Sequence, residues 1–331
     1  MAPAHHEGAY GFTRVLGTFP LPAFLLLAGA AVTWRVHAAR ERKEDARDVR
    51  RALFKRGLQV CLYGYLMSAS YALLDGWQGL ETFLRADVLH VIGLSIAAGA
   101  LMVGATLSPR SLALRALGFG ALLTAICPFV SDLAIPGALR PLAGLFVDAP
   151  PYTRMPLVPL FAWFAVGSGA AAFMLARRGD DPASARAGTP RSAIAILALV
   201  GVVCWAGGFA LTGTMHEALG GPLTRSHPAV WANVLDLAGR GLVVLAVGAA
   251  LSLVLPARPR RALVRLGRGS LVAYVVHVPF CYGRLGGDLV GSSSMATASA
   301  ALVLLVALSW GSVYAWDAFK ARIRPRKWSA A

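Results

Sequence analysis

Asp236 and Arg240 stand four residues apart inside an unbroken apolar stretch. That spacing puts both side chains on one face of a helix. The pair can be a self-neutralising ion pair that stabilises its surroundings, or a clamp for an anion or carbonyl facing a cavity. Ser270, Tyr274 and His277 follow the helical spacing i, i+4, i+7 and form one polar stripe. An imidazole ionises near neutrality, which suits a general base or an acyl carrier, and equally suits a helix–helix hydrogen bond. Asp87 and His90 are three residues apart at the start of another apolar run. A carboxylate there can orient an imidazole for acid–base work, or simply cap the first turn of a helix.

The elements that must hold these groups are long and greasy. Apolar segments run over roughly 15–34, 54–74, 87–107, 112–134, 155–176, 192–212, 229–255, 264–284 and 295–317. Each is near the 20 residues or so that a helix needs to cross about 30 Å of hydrocarbon. The 331 residues are 57% hydrophobic and 15% charged, well under the roughly 25% charged residues of soluble domains. The sequence therefore predicts an all-α fold, a polytopic integral membrane bundle of about nine transmembrane helices. It is expected to be one transmembrane domain over 1–331, ending in a basic tail at 318–331. Gly93, Gly99, Gly104, Gly118, Gly120, Gly167, Gly169, Gly207 and Gly208 lie within the segments, where small residues let helices approach in lipid. Pro22, Pro128 and Pro279 are expected to kink theirs.

The net charge of +16 is not a nucleic-acid patch, because the cations are parcelled between the apolar segments. Of the 32 Lys and Arg residues, 25 fall on alternate connections and the C-terminal tail, six on the opposite side, and Arg240 within a segment. The positive-inside bias then puts the C-terminus in the cytoplasm of a plasma (inner) membrane protein and the N-terminus outside. With that topology Arg240 and His277 each lie roughly 13 Å from an entry point, near the midplane, at the helical rise per residue. Ionisable groups at such depth are costly and mark functional sites by default. No HExxH, GxSxG, Walker or GxGxxG pattern occurs. Cys61, Cys127, Cys204 and Cys281 lie in apolar segments without a CxxC pair, so they read as small buried residues and no metal is expected.

Three stretches resemble the heparan-α-glucosaminide N-acetyltransferase family and its bacterial relatives. RVLGTFPLPAFLLLAGAA, Arg14 to Ala31, is similar to that family's Pro-x-Phe-hydrophobic-Gly helix. RADVLHVIGLS, Arg85 to Ser95, is similar to its VLQRLG-type helix start, with His90 and Val91 where the family has Gln-Arg. GRGSLVAYVVH, Gly267 to His277, is similar to its Ser-hydrophobic-x-Tyr-x-x-His helix. Family members open with a further helix bearing an Asp-x-x-Arg-Gly start, which this chain is expected to lack.

The resemblance implies a membrane acyltransferase of the cell envelope. It would take an acetyl group from cytosolic acetyl-CoA and place it on a sugar or glycolipid acceptor at the outer face. It also implies a catalytic His ahead of the Pro-x-Phe helix, for which His5 and His6 are the candidates. Alongside them stand His277, His90 and Asp87 as catalytic candidates. Arg240, Asp236, Ser270 and Tyr274 are candidates for binding. Arg268, Arg265, Arg56 and Lys55, at cytoplasmic helix ends, could hold CoA phosphates by charge-assisted bonds, with topology signalling as their plainer role. Loops 136–153 and 213–228 are expected to form the acceptor vestibule. The expected partners are acyl-CoA, a glycan or glycolipid and the lipid bilayer, with a homodimer open. A solute or lipid transporter, or an inactive family relative, are the alternatives.

Overall fold

Prolines and cap residues set where the helices begin. In the computed structural model, residues 18–75, 79–131, 133–178, 191–219, 229–282 and 295–323 are described. Helix α1 is Pro20–Glu41 and opens on a proline, whose missing N–H costs nothing in a first turn. Helix α2 is Ala46–Asp75, with Asp45 Oδ1 accepting from Arg47 N at 2.6 Å just ahead of it. Helix α3 is the short Leu80–Leu84, and α4 is Val88–Leu101. Helix α5 is Pro109–Val130, with Ser108 Oγ accepting from Ser111 N and Pro109 in the first turn. A 3-10 turn, Gly137–Leu139, leads into α6, Arg140–Ala143. Helix α7 is Leu157–Arg178, broken at Val158 (φ −90°, ψ 120°), where the following proline forces extended backbone. Then come α8 (Arg191–Leu219), α9 (Val230–Val254), α10 (Ala257–Arg268), α11 (Ser270–Tyr282) and α12 (Met295–Ile323).

The fold is all-α, and six of the described helices (α1, α5, α7, α8, α9 and α12) are long and apolar enough to cross a membrane. Two expected spans are shorter than the apolar runs that contain them. The run at 87–107 is helical only to Leu101, because Ser108-Pro109 starts the next helix and Leu107 turns left-handed (φ 46°) before it. The run at 264–284 breaks at Gly269, so its arginine-rich beginning belongs to α10 and only Ser270–Tyr282 forms α11. Helices of this length cover about 20 Å at 1.5 Å per residue. Of the three prolines expected to kink helices, Pro22 stands in a first turn, whereas Pro128 and Pro279 lie inside theirs.

The chain divides into two units. One holds Met1–Tyr65 and Leu80–Leu253, and the other Leu66–Gly79 and Val254–Ala331. The first is built on α7, which packs along α1 and α5 and also meets α4 and α8. Phe161 and Phe164 of α7 are fully buried, with Phe119 of α5 edge-on to Phe161 at 5.2 Å. The α1–α7 seam is a backbone contact. A Cβ on Gly29 would overlap the Phe164 carbonyl oxygen, and one on Gly167 would overlap the Leu26 carbonyl. One turn further along α1, the buried hydroxyls of Thr33 and Ser168 join at 2.7 Å. Helix α9 is held from two sides: Trp163 Nε1 donates to the Val234 carbonyl at 3.0 Å and Trp231 Nε1 to the Thr124 carbonyl at 2.9 Å. In the second unit α11 packs along α12, and α10 touches both.

Short connections are tied as firmly. Glu44, in the turn between α1 and α2, takes Arg35 at 2.5 Å and Arg42 at 3.6 Å. The hydrogen bond from Arg35 holds its carboxyl below the usual carboxylate range. That depressed value contributes stability above the ordinary range, which is lost as pH falls through the folded one. At the opposite end, Ala86 N donates to the Tyr152 carbonyl at 2.8 Å and Arg154 N to the Ala86 carbonyl at 3.0 Å, a bridge just ahead of Asp87.

Replacing Gly29 or Gly167 by Val drives a side chain into backbone and is expected to cost about 1–3 kcal/mol or more. Thr33→Val should cost about 1 kcal/mol, the worth of one hydrogen bond. Unfolding midpoints in detergent test both, and an unshifted midpoint for Gly167→Val would show that the seam is not a backbone contact.

Candidate functional site

Asp236 and Arg240 form the most highly determined polar centre of the first unit. Both lie on α9, 4% and 8% exposed, and they meet fork to fork: Arg240 Nε to Asp236 Oδ1 at 3.1 Å and Nη2 to Oδ2 at 2.8 Å. Arg240 Nη1 donates to the Thr18 hydroxyl at the head of α1. The guanidinium carbon lies 5.9 Å from the Phe19 ring centre and 5.5 Å from that of Trp205. Those two rings meet edge to face at 5.5 Å. A planar cation between aromatic faces and a carboxylate is well compensated away from water.

The helices can close on this pair because each puts a glycine where the other's backbone passes. A Cβ on Gly208 would overlap Asp236 N, and one on Gly239 would overlap Trp205 N. Gly207, beside Gly208, faces open space instead. Of the two roles open to the pair, the geometry builds the self-neutralising one: the fork that could grip an external anion is already filled by Asp236. Thr18, Phe19 and Trp205 were not singled out by sequence reasoning, since only the tertiary fold brings them to Arg240.

Asp87 and His90 begin α4 as a capping box. The Asp87 carboxylate accepts from Val88 N at 2.7 Å, and His90 Nδ1 accepts from Asp87 N at 3.2 Å. Of the two roles read from the sequence, this is the helix cap: the carboxylate is spent on the helix terminus and the ring meets a backbone N–H. His90 is wholly buried, lies where a Cβ of Gly64 would stand, and takes the Tyr65 ring edge-on at 4.3 Å. With Nδ1 accepting, the ring proton sits on Nε2, which has no hydrogen-bond partner among the described residues. His90 is thus a buried donor with no lone pair left to accept a proton.

His277 has the opposite arrangement. Its Nδ1 lies 2.8 Å from the Ala273 carbonyl one turn back on α11. A carbonyl only accepts, so Nδ1 is the nitrogen that donates, and Nε2 is the one left for other partners. Tyr274 meets the ring edge-on at 5.6 Å, while Ser270 is exposed at the start of the helix. The stripe is therefore a Tyr–His pair on a polar start, with its imidazole oriented by the Ala273 carbonyl. His277 belongs to the second unit and Arg240 to the first.

The basic candidates are solvent-facing. Lys55 and Arg56 are exposed on α2, and Arg268 ends α10 exposed. Arg265 bonds Asp317 at 3.4 Å and lies 4.7 Å above the Tyr314 ring. His5 and His6 lie outside the described residues, as do 220–228 of the expected vestibule. Among the described residues no three His, Cys, Asp or Glu side chains gather as a metal site.

A family model described as heparan-alpha-glucosaminide N-acetyltransferase, catalytic, matches residues 4–204. No curated protein and no solved structure matches the chain. The matched stretch contains His5, His6, Arg56, Asp87 and His90, whereas Asp236, Arg240 and His277 lie beyond it.

Arg240→Ala leaves a buried carboxylate alone and is expected to cost about 3–5 kcal/mol. The double change Asp236→Asn, Arg240→Gln removes both charges and should cost less. Unfolding midpoints in detergent compare them, and equal midpoints would remove the ion pair as the organising contact.

Proposed function

The chain belongs to the heparan-alpha-glucosaminide N-acetyltransferase family, and on that premise we propose that it moves an acetyl group from cytosolic acyl-CoA to a sugar or glycolipid at the extracytoplasmic face. The observation that carries this reading is the family match across residues 4–204 of a multi-pass membrane protein. In the proposed reaction the acceptor's amine or hydroxyl attacks the thioester carbonyl. A C–N or C–O bond forms, the C–S bond breaks, and the thiol leaves as free CoA. The proton shed by the acceptor goes to an imidazole and from there to the departing thiolate.

His277 is our choice for an imidazole in the membrane. Its Nδ1–H is anchored on the Ala273 carbonyl, which leaves Nε2 as the nitrogen that would exchange the proton. His5 or His6 would serve the acceptor on the outer side. The head that carries them leads into Thr18, the residue bonded to Arg240, so Asp236 and Arg240 act in this reading as the anchor of that head. His90 and Asp87, tied in their capping box, position the start of α4 behind the acceptor loop at 136–153. Ser270 and Tyr274 line the approach to His277. For the CoA phosphates the candidates are Lys55 and Arg56 in the first unit, or Arg265 and Arg268 in the second, with the C-terminus on the cytoplasmic side of the plasma membrane.

His277→Ala is expected to lower acetyl transfer from labelled acetyl-CoA to cell-envelope glycans by about 10²–10⁴-fold, the usual worth of a proton-transfer group, with the unfolding midpoint retained. Undiminished transfer by the folded variant would leave the α11 stripe a structural feature.

A further inference from the structure

Helix α10 has its charge organised by face. Its sequence, ARPRRALVRLGR, holds five arginines and no carboxylate in 12 residues. Arg258, Arg261, Arg265 and Arg268 follow i, i+3, i+7, i+10 and so share one face, while Pro259, Ala262, Leu263 and Leu266 share the opposite one. Cations that only signal topology need to be present on a connection; they need no helical phase. Here four of the five arginines keep one phase, with Arg260 off the stripe, and the helix is set off by Pro256 ahead of it and Gly269 behind it.

The stripe is anchored at one point and open elsewhere. Arg265 is fixed on α12 by Asp317 and by the Tyr314 ring. Asp317 also takes Lys320 at 3.5 Å and is the lone carboxylate in the sequences of α10 and α12. Arg258 and Arg261 are exposed and have no carboxylate partner among the described residues. Leu263, on the other face, is 45% exposed. In sequence α10 follows the apolar α9 by two residues and precedes the apolar α11 by one, so it is held where membrane-spanning segments end. A short basic amphipathic helix at that depth meets lipid phosphates on one face and the acyl boundary on the other.

We propose that α10 is an anionic-lipid-binding helix, whose exposed Arg258 and Arg261 hold the phosphodiester headgroups of acidic phospholipids while Arg265 pins the helix to α12. The surface requires two things of its occupant, negative charge and a hydrocarbon tail, and an acidic phospholipid supplies both. The inference is independent of the acyl-transfer reading, which uses Arg265 and Arg268 but neither Arg258 nor Arg261.

The test uses the full chain purified in mild detergent, with fluorescent phosphatidylglycerol and phosphatidylcholine as probes. The expected result is retention of phosphatidylglycerol over phosphatidylcholine, weakening as sodium chloride is raised. Arg258→Gln with Arg261→Gln should cut that preference roughly 25-fold, about fivefold for each arginine at an anionic surface. The charge-preserving Arg258→Lys, Arg261→Lys variant should keep most of it, and serves as the reference if the glutamine variant does not fold: its loss of preference would overturn the proposal. No preference in the unmutated chain, or an unchanged preference in the folded glutamine variant, would also overturn it. A third arm adds unlabelled CoA. Displacement of phosphatidylglycerol by CoA would assign the stripe to the donor's phosphates instead.

Discussion

Hydrocarbon neither solvates a polar group nor drives apolar helices together, and every device in this chain answers to that. Helices in lipid gain by touching more closely than lipid can touch them. The α1–α7 seam shows how: Gly29 and Gly167 each lie against the other helix's backbone, and the Thr33–Ser168 hydroxyl pair forms where the helices are already that close. The same device at Gly208 and Gly239 lets α8 and α9 close over Asp236 and Arg240. Packing and polar chemistry are thus one problem here. The small residues that permit contact decide where a charge can be enclosed.

The polar groups themselves divide by what is left over once they are satisfied. Asp236 spends its carboxylate on the Arg240 fork, and Arg240 spends a further donor on Thr18. Asp87 spends its carboxylate on a helix start. His90 and His277 are the informative contrast. A backbone N–H claims the lone pair of His90, whereas a backbone carbonyl claims the proton of His277. The same ring nitrogen, Nδ1, accepts in one place and donates in the other, solely through which end of a peptide group it meets.

Much of this was legible in the sequence. The apolar segments fall on helices, the i, i+4 spacing of Asp236 and Arg240 foretold their contact, and Ser108-Pro109 is a readable helix start. Amphipathic α10 was readable too, from the phase of its arginines and from Gly269, but counting cations as topology signals merged it into the following span. What could not be read is what depends on distant partners. Nothing near Gly29 identifies Phe164 as its neighbour, and nothing near Arg240 names Thr18, Phe19 or Trp205. Nor does a histidine's sequence position say which of its nitrogens a backbone group will claim.

The Thr33–Ser168 bond joins residues 135 positions apart. A chain emerges from the ribosome N-terminus first, so α1 reaches the bilayer while α7 is still unmade. During that interval Gly29 and Thr33 lack the backbone and hydroxyl they will meet, and α4 and α5 are made before the helix they pack against. The central helix of the first unit therefore enters a structure most of whose walls precede it. Its glycine must slide into register against a backbone already in place, which makes closure of this core a late step in synthesis rather than its nucleus.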